Sequence, residues 1–105
     1  PGTDTIPGGP ARGPDGAPAP YDAAAQTRAV IDNIEAVLAD AGLTLADVVD
    51  VTTFLIDMAR DFPAYNKVYA ERFAGVEAAR TTVEVRALPT PIAVEMKVIA
   101  RFPCD

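Results

Sequence analysis

The sequence predicts an α+β fold in which two helices pack on one face of a mixed β-sheet. Three observations predict it: two stripes of apolar residues at helical spacing, three strand-like runs, and their order, helix–strand–helix–strand–strand. The strand–helix–strand portion should form a right-handed parallel crossover, and the last two strands should pair as an antiparallel hairpin. With 105 residues, the chain has room for one domain and one modest core.

Residues 1–22 differ from the rest because eleven of them are glycine or proline. Such a segment does not form a helix or a central strand, so we predict a Gly/Pro-rich loop or arm there and an α+β domain over residues 23–105. Pro1 could suggest a proline-amine catalyst, but nothing downstream supports that chemistry. Cys104 is the only cysteine and lies next to the C-terminus, which is a poor position for a catalytic thiolate.

Two helices are predicted from apolar residues that recur at helical spacing. The first runs from Ala24 to Ala41, with Asp22 as its N-cap and Gly42 just past its end. Its core-facing stripe consists of Val30, Ile34, Val37, Leu38 and Ala41. The second helix begins at Asp61 and ends at Gly75. Its stripe consists of Tyr65, Val68, Tyr69, Arg72 and Phe73.

Three segments have the composition of strands. Val48–Ile56 is rich in β-branched and aromatic residues and should be mostly buried. Arg80–Ala87 alternates strictly, and a last strand is expected over Ile92–Phe102. We expect one face of the sheet, away from the helices, to carry Arg80, Thr82, Glu84, Arg86, Glu95 and Lys97. A face so polar and so regularly patterned predicts contact with another subunit.

Composition excludes several classes of function. The net charge of −6 argues against a nucleic-acid partner, because phosphate binding requires a basic surface. No apolar run approaches the ~20 residues of a membrane span, and no leader-like segment opens the chain, which predicts a cytosolic protein without membrane attachment. The chain lacks histidine, the commonest metal ligand and general base. Gly8, Gly9, Gly13 and Gly16 lie in the proline-rich arm and not between a strand and a helix, so they do not form a phosphate-binding loop. We therefore expect neither a metal nor a cofactor.

The remaining polar residues allow one economical chemistry. Arginine binds a planar carboxylate in a bidentate geometry, so Arg80 is the first candidate for substrate binding. Glu95 could position or deprotonate a water that attacks a small carboxylate-bearing electrophile. Structural alternatives remain open: Arg80 and Glu95 could form a cross-strand ion pair, and Asn66 could be an exposed polar position. Glu84 and Arg86 could equally form a solvated edge.

Four stretches of the sequence resemble a known family: Ala25–Ile34, Asp47–Leu55, Phe62–Tyr69, and Arg80–Val85 followed by Leu88-Pro89 and Glu95. On these stretches the chain resembles the Rid family of reactive-intermediate deaminases (RidA/YjgF). The resemblance implies a chorismate-mutase-like fold and a homotrimer with active sites in clefts between subunits. It also implies cofactor-free hydrolysis of small carboxylate-bearing enamines and imines, such as 2-iminopropanoate and 2-iminobutanoate, to a 2-oxo acid and ammonia.

The resemblance also implies roles for four residues. Arg80 matches the arginine that binds the substrate carboxylate, and Glu95 matches the glutamate associated with the attacking water. Asn66 matches a helix asparagine near the cleft. Thr82 stands where many members have cysteine, at a position whose backbone carbonyl is thought to matter more than its side chain.

The sequence departs from the family at its beginning. Members begin with a strand pair that carries a Gly-Pro-Tyr-Ser-like segment and a Ser-Gly strand end, and neither precedes Pro1 here. Either the sequence is part of a longer protein or the pocket is incomplete. We expect the former, because three strands alone would leave a sheet edge uncovered. Ala78 and Ala79 stand where proline is frequent, which affects the stiffness of the loop before Arg80.

Three further interpretations stay open. The long proline-rich loop is similar to that of the 2-aminomuconate deaminase branch, where Arg86, Lys97 or Arg101 could hold a second carboxylate. A non-catalytic, chaperone-like trimer could use the same cleft only to bind small carboxylates. A pure interaction domain would use Arg80 and Glu95 as an ion pair between subunits.

Overall fold

A computed structural model describes residues 7–13 and 20–103 of the chain. In order, it contains helix α1 (Ala23–Asp40), a 3₁₀ turn (Leu45–Asp47), strand β1 (Val48–Leu55), helix α2 (Met58–Arg72), and strands β2 (Ala79–Glu84) and β3 (Val94–Ala100). The helices pack on one face of the sheet, which confirms the predicted α+β class. Within the described ranges, no helix is long and apolar enough to cross a bilayer. The predictions for Pro1 and Cys104 lie outside the described residues.

The sheet has the strand order β2-β1-β3, so β1 is its central strand. β1 pairs parallel to β2, as predicted for a crossover, and antiparallel to β3. The predicted hairpin between the last two strands is therefore wrong. Residues 85–93 instead carry the chain from β2 to the far edge of β1, where β3 pairs. The β-branched, mostly buried composition of β1 suits the central position that it occupies.

The strand register divides the predicted polar face into two. Residues in register on neighbouring strands point to the same side of a sheet. On β2, the positions in register with buried β1 residues are Arg80 (with Val51), Thr82 (with Thr53) and Glu84 (with Leu55). On β3, Glu95 is in register with Phe54 and Lys97 with Thr52, on the opposite face. The first three therefore face the helices, and the prediction of one shared polar face is wrong, because alternation alone does not say which face a strand buries.

The N-cap of the second helix lies four residues before the predicted one. Asp57 is its N-cap, and the Asp57 carboxylate accepts a hydrogen bond from the Arg60 N–H at 3.1 Å. The Glu84 carboxylate accepts another from the Met58 N–H at 2.8 Å. Two acceptors thus satisfy the first turn of α2 and fix its start. Asp61, predicted as the cap, instead lies in the first turn of α2 with its side chain buried.

The predicted stripe of α1 is correct at Leu38 and wrong at Val37. Leu38 is buried, whereas Val37 is 69% exposed. Ile31, which lies outside the predicted stripe, is fully buried. The apolar face of α1 is wider than the part of it that contacts the sheet. The remaining apolar residues of α1, with Met96 and Val98 of β3, line an open groove of about 270 Å³.

The Gln26 side chain connects the loop before α1 to the segment before β3. It is 3% exposed, and its Nε2 donates to the Gly9 carbonyl at 2.7 Å. Its Oε1 accepts from the Ala93 N–H at 2.8 Å. Both backbone partners lie in segments without a regular ladder, so the single side chain satisfies two backbone groups.

Replacing Gln26 by leucine is expected to lower the free energy of unfolding by about 2–4 kcal/mol. The Ala93 N–H and the Gly9 carbonyl would both lose their partner, at about 1–3 kcal/mol for each buried group. Urea unfolding followed by circular dichroism measures the loss. Thr27→Val is the matched control, because the buried Thr27 hydroxyl donates only to the Ala23 carbonyl of its own helix. A Gln26→Leu variant as stable as Thr27→Val would contradict this role.

Candidate active site

The Arg80 guanidinium is held against the C-terminal half of α2. Its Nη1 donates to the Asn66 Oδ1 at 2.7 Å. Its Cζ lies 4.4 Å from the centroid of the Tyr69 ring and 5.8 and 5.9 Å from those of Phe62 and Tyr65. One hydrogen bond and an aromatic face therefore orient the guanidinium plane. The structure brings together Arg80 and Asn66, two of the residues predicted from the sequence.

The local fold places these groups together. α2 returns antiparallel to β1, and β2 then pairs parallel to β1, which sets Arg80 beside the helix. Asn66 and Tyr69 are three residues apart on α2 and so share one face of it. Behind them, the fully buried Tyr65 shares a hydrogen bond of 2.7 Å between its hydroxyl and the Thr53 hydroxyl. The wall under Arg80 is thus fixed to the central strand.

Arg80 has no acidic partner in the part of the chain that the structure describes. The ion pairs found there join Arg60 to Asp61 and Arg72 to Asp32 and Glu35. Arg80 is solvent-exposed, and a guanidinium has five N–H donors, of which Asn66 uses one. The remaining donors can bind a planar anion in a bidentate geometry.

The phenol beside Arg80 is a neutral group. Burial raises the pKa of Tyr69, the neighbouring Tyr65 raises it further, and the Arg80 charge opposes both. Tyr69 therefore presents a neutral ring to the guanidinium at physiological pH. We assign it to orientation of Arg80 and not to proton transfer.

Thr82 lies two residues after Arg80 on the same face of β2. It is half-buried and in register with Thr53 of β1. Two residues along a strand correspond to roughly 7 Å, so Thr82 borders the space beside Arg80. The predicted importance of its backbone carbonyl stays a prediction.

Glu95 does not meet Arg80 within one chain. It is exposed on β3, in register with Phe54, on the face without helices. Arg80 lies on β2 at the other edge of the sheet and on the other face. A cross-strand ion pair between the two in one chain is therefore wrong. The alternative of a solvated Glu84–Arg86 edge agrees with the structure, since β2 is an edge strand and both side chains are exposed, although Glu84 also accepts a hydrogen bond from the Met58 N–H.

The other predicted cations are also separated from Arg80. Lys97 is on the helix-free face, and Arg101 follows β3 at the far edge. Arg86 follows the end of β2, beyond Glu84. In one chain, none of the three supplies a second carboxylate site beside Arg80. Hydrolysis of 2-aminomuconate stays a prediction whose second cation must come from a neighbouring chain.

The sequence prediction missed the aromatic surroundings of Arg80. Phe62, Tyr65 and Tyr69 are spaced by three and four residues, which places them on one helix face. The helical spacing predicts Tyr65 and Tyr69 only as part of the core stripe. Their contact with Arg80 depends on the parallel register of β2, which helical spacing does not reveal. No group of three or more acidic or cysteine side chains within residues 7–13 and 20–103 is placed to hold a metal ion.

Comparison with known families identifies the class of protein to which this fold and this site belong. The family described as Endoribonuclease L-PSP matches residues 7–102, and the chain belongs to this family. A member of the YjgF/YER057c/UK114 family from Mycobacterium tuberculosis has a similar structure, with a TM-score of 0.74 and 38% sequence identity over 77% of this chain and 69% of its own. This agrees with the predicted Rid family and its fold.

Two curated relatives show the range of names in the family. A RutC family protein of Pyrococcus abyssi is 48% identical over 71% of this chain and 58% of its own length. The 2-iminobutanoate/2-iminopropanoate deaminase of Escherichia coli K12 is 39% identical over 77% of this chain and 65% of its own length. The chain thus spans less than two thirds of the length of these relatives.

Proposed function

We propose that this protein hydrolyses small imines and enamines that carry a carboxylate, of the 2-iminopropanoate and 2-iminobutanoate type, without a cofactor. The observation that carries the proposal is Arg80, an exposed, oriented guanidinium that lacks an acidic partner in the described residues. The name of the Escherichia coli relative supports the same substrate class. The products are a 2-oxo acid and ammonia.

The proposed reaction needs a carboxylate anchor and an activated water. Arg80 binds the substrate carboxylate through the donors that Asn66 leaves available. Water adds to the imine carbon, and Glu95 takes the proton that the water loses as the C–O bond forms. Glu95 returns this proton to the imine nitrogen, which gives a carbinolamine. A further proton moves from the carbinolamine hydroxyl to the amino nitrogen, so the C=O bond forms as the C–N bond breaks and ammonia leaves. One imine and one water thus give one 2-oxo acid and one ammonia.

We propose that each site is shared between two protomers of a homotrimer. Arg80 and Glu95 lie on opposite faces and opposite edges of one sheet, so one chain does not place both at a single substrate. In a cyclic oligomer, the β2 edge of one protomer can meet the helix-free face of the next. That face carries the exposed Glu95 and the 50% exposed Ile99. The same arrangement covers this apolar surface.

The family description names an endoribonuclease, but this chain has little to attract RNA. Its net charge is −6, and a polynucleotide backbone binds to surfaces rich in lysine and arginine. A small carboxylate, in contrast, needs only one well-oriented arginine. A non-catalytic trimer that binds such carboxylates uses the same arginine, so turnover separates it from the enzyme.

The test is hydrolysis of an imine generated in place. An amino-acid oxidase produces 2-iminopropanoate from alanine or 2-iminobutanoate from 2-aminobutanoate, and semicarbazide traps the imine that survives. The proposal predicts slower formation of the trapped product when the protein is present. Unchanged trapping, together with saturable binding of pyruvate, would instead establish a carboxylate-binding protein.

A further inference from the structure

A second group of cations lies at the opposite end of β2 from Arg80. An open pocket of about 280 Å³ there is lined by Arg12, Arg60 and Arg86, together with Tyr21 and Asp57. Three of the nine lysine and arginine residues of the chain thus meet in one place. With one aspartate against three arginines, the charged lining has a net charge of +2 on a protein of net charge −6.

The pocket is separate from the Arg80 site. It includes Arg86, which follows the end of β2 at Glu84, whereas Arg80 lies near the start of that strand. Four strand residues from Arg80 to Glu84 correspond to roughly 13 Å. A small ligand in the pocket therefore does not touch the Arg80 guanidinium.

Two of the three arginines are held in position. The Arg60 Cζ lies 4.1 Å from the centroid of the Tyr21 ring, and its Nη2 donates to the Tyr21 carbonyl at 3.3 Å. The Arg60 Nε is 3.7 Å from the Asp61 Oδ1, which offsets part of its charge. The Arg12 Nη2 donates to the Leu88 carbonyl at 3.4 Å. Such contacts reduce the entropy that side chains lose when they bind a ligand.

The third arginine is available to a ligand. Arg86 is exposed, and it has no hydrogen bond or ion pair with any residue in the described ranges. Asp57, the acidic residue of the pocket, is the N-cap of α2, and its carboxylate accepts a hydrogen bond from the backbone N–H of Arg60. The Asp57 carboxylate is therefore hydrogen-bonded to α2. Arg86 faces the pocket without an acidic partner in the described residues.

We propose that this pocket binds a compact oxyanion with at least two negative charges, either a phosphate group or a small dicarboxylate. Guanidinium groups match both chemistries through paired N–H donors. The open pocket of about 280 Å³ has room for such an anion. The site is independent of the imine hydrolysis proposed above.

The Tyr21 hydroxyl joins this pocket to the buried Asp61. It donates to the Asp61 carboxylate, which is 2% exposed. Burial raises the pKa of Asp61, and the Tyr21 hydrogen bond and Arg60 oppose that rise. This contact attaches the loop before α1 to α2 and so shapes the wall of the pocket.

Titration calorimetry with sodium phosphate and with sodium malonate, against sodium chloride at equal ionic strength, tests the proposal. We expect saturable binding of at least one anion to the wild type, and the tighter one identifies the chemical class. Arg86→Gln should weaken binding by about tenfold or more, because a charge-assisted hydrogen bond is lost. Arg12→Gln should have a similar effect. Arg28→Gln, which removes an exposed charge on α1, should leave binding unchanged.

Arg80→Ala distinguishes the two sites. It should retain anion binding if the pocket is the site. Absence of binding of both anions to the wild type would overturn the proposal. So would equal binding by wild type, Arg86→Gln and Arg12→Gln variants whose circular dichroism shows native folding, or loss of binding in Arg80→Ala alone.

Discussion

Replacing Arg80 by alanine is expected to lower kcat/KM for 2-iminopropanoate by about 100-fold or more, because the substrate carboxylate loses the group that positions it. Arg80→Lys should recover only part of the loss, since lysine lacks the planar fork that binds a carboxylate with two parallel hydrogen bonds. The oxidase-coupled trapping assay measures both variants. Because Arg80 is exposed, its removal should leave the fold intact.

The control for this prediction is Arg28→Ala, which removes an exposed arginine on α1. It should match the wild type in rate. Size-exclusion chromatography of Arg80→Ala should show an unchanged oligomer. Loss of the oligomer together with the activity would favour the alternative in which Arg80 and Glu95 form an ion pair between subunits.

The second large effect is expected from Glu95→Gln. The amide keeps the size of the side chain but does not accept the proton of the attacking water, so kcat should fall by about 10²–10⁴-fold. KM should change little, because carboxylate binding is assigned to Arg80. Steady-state kinetics on 2-iminobutanoate separate the two constants.

Glu71→Gln is the matched control for Glu95→Gln. Glu71 is an exposed carboxylate on α2, away from the helix-free face that carries Glu95. Equal rates for the Glu71 and Glu95 variants would remove Glu95 from the proposed mechanism. A rise in KM with unchanged kcat would assign it to binding instead.

A pH dependence follows from the buried Asp61. Burial raises its pKa in the folded protein above the unfolded value of 3.8, so its contribution to stability is full below that value and is lost as pH rises through the folded pKa. Asp61→Asn keeps an acceptor for the Tyr21 hydroxyl and removes the buried charge. The Tm of Asp61→Asn minus the Tm of the wild type should therefore rise as pH increases from about 4 to about 8. A constant difference would contradict this account.

Local signals in the sequence predicted much of the fold. Gly42 ends α1 with a positive φ of 78°, as its position past the apolar stripe indicated. Val48–Leu55 forms the central strand that its β-branched composition favoured. These features depend on residues close together in the chain, where propensity and capping decide the outcome.

Features that depend on distant residues were not predictable in the same way. Asp57 and Asp61 are both good N-caps, and the choice between them depends on Glu84, which is 26 residues from Met58. Alternation along β2 says which residues share a face, but the register with β1 decides that Arg80 faces α2. The sequence therefore predicted Arg80 and Asn66, which the structure brings together, without showing that Glu95 lies on the other side of the sheet.

The most direct test of a shared site is complementation between the two inactive variants. Arg80→Ala and Glu95→Gln protomers are co-expressed with different tags, and doubly tagged oligomers are purified and assayed. A doubly tagged trimer contains both variants, and one of its three interfaces combines an intact Arg80 with an intact Glu95 from the neighbour, so activity should return to about a third of wild type. Mixed oligomers as inactive as either parent would contradict a site built from two protomers.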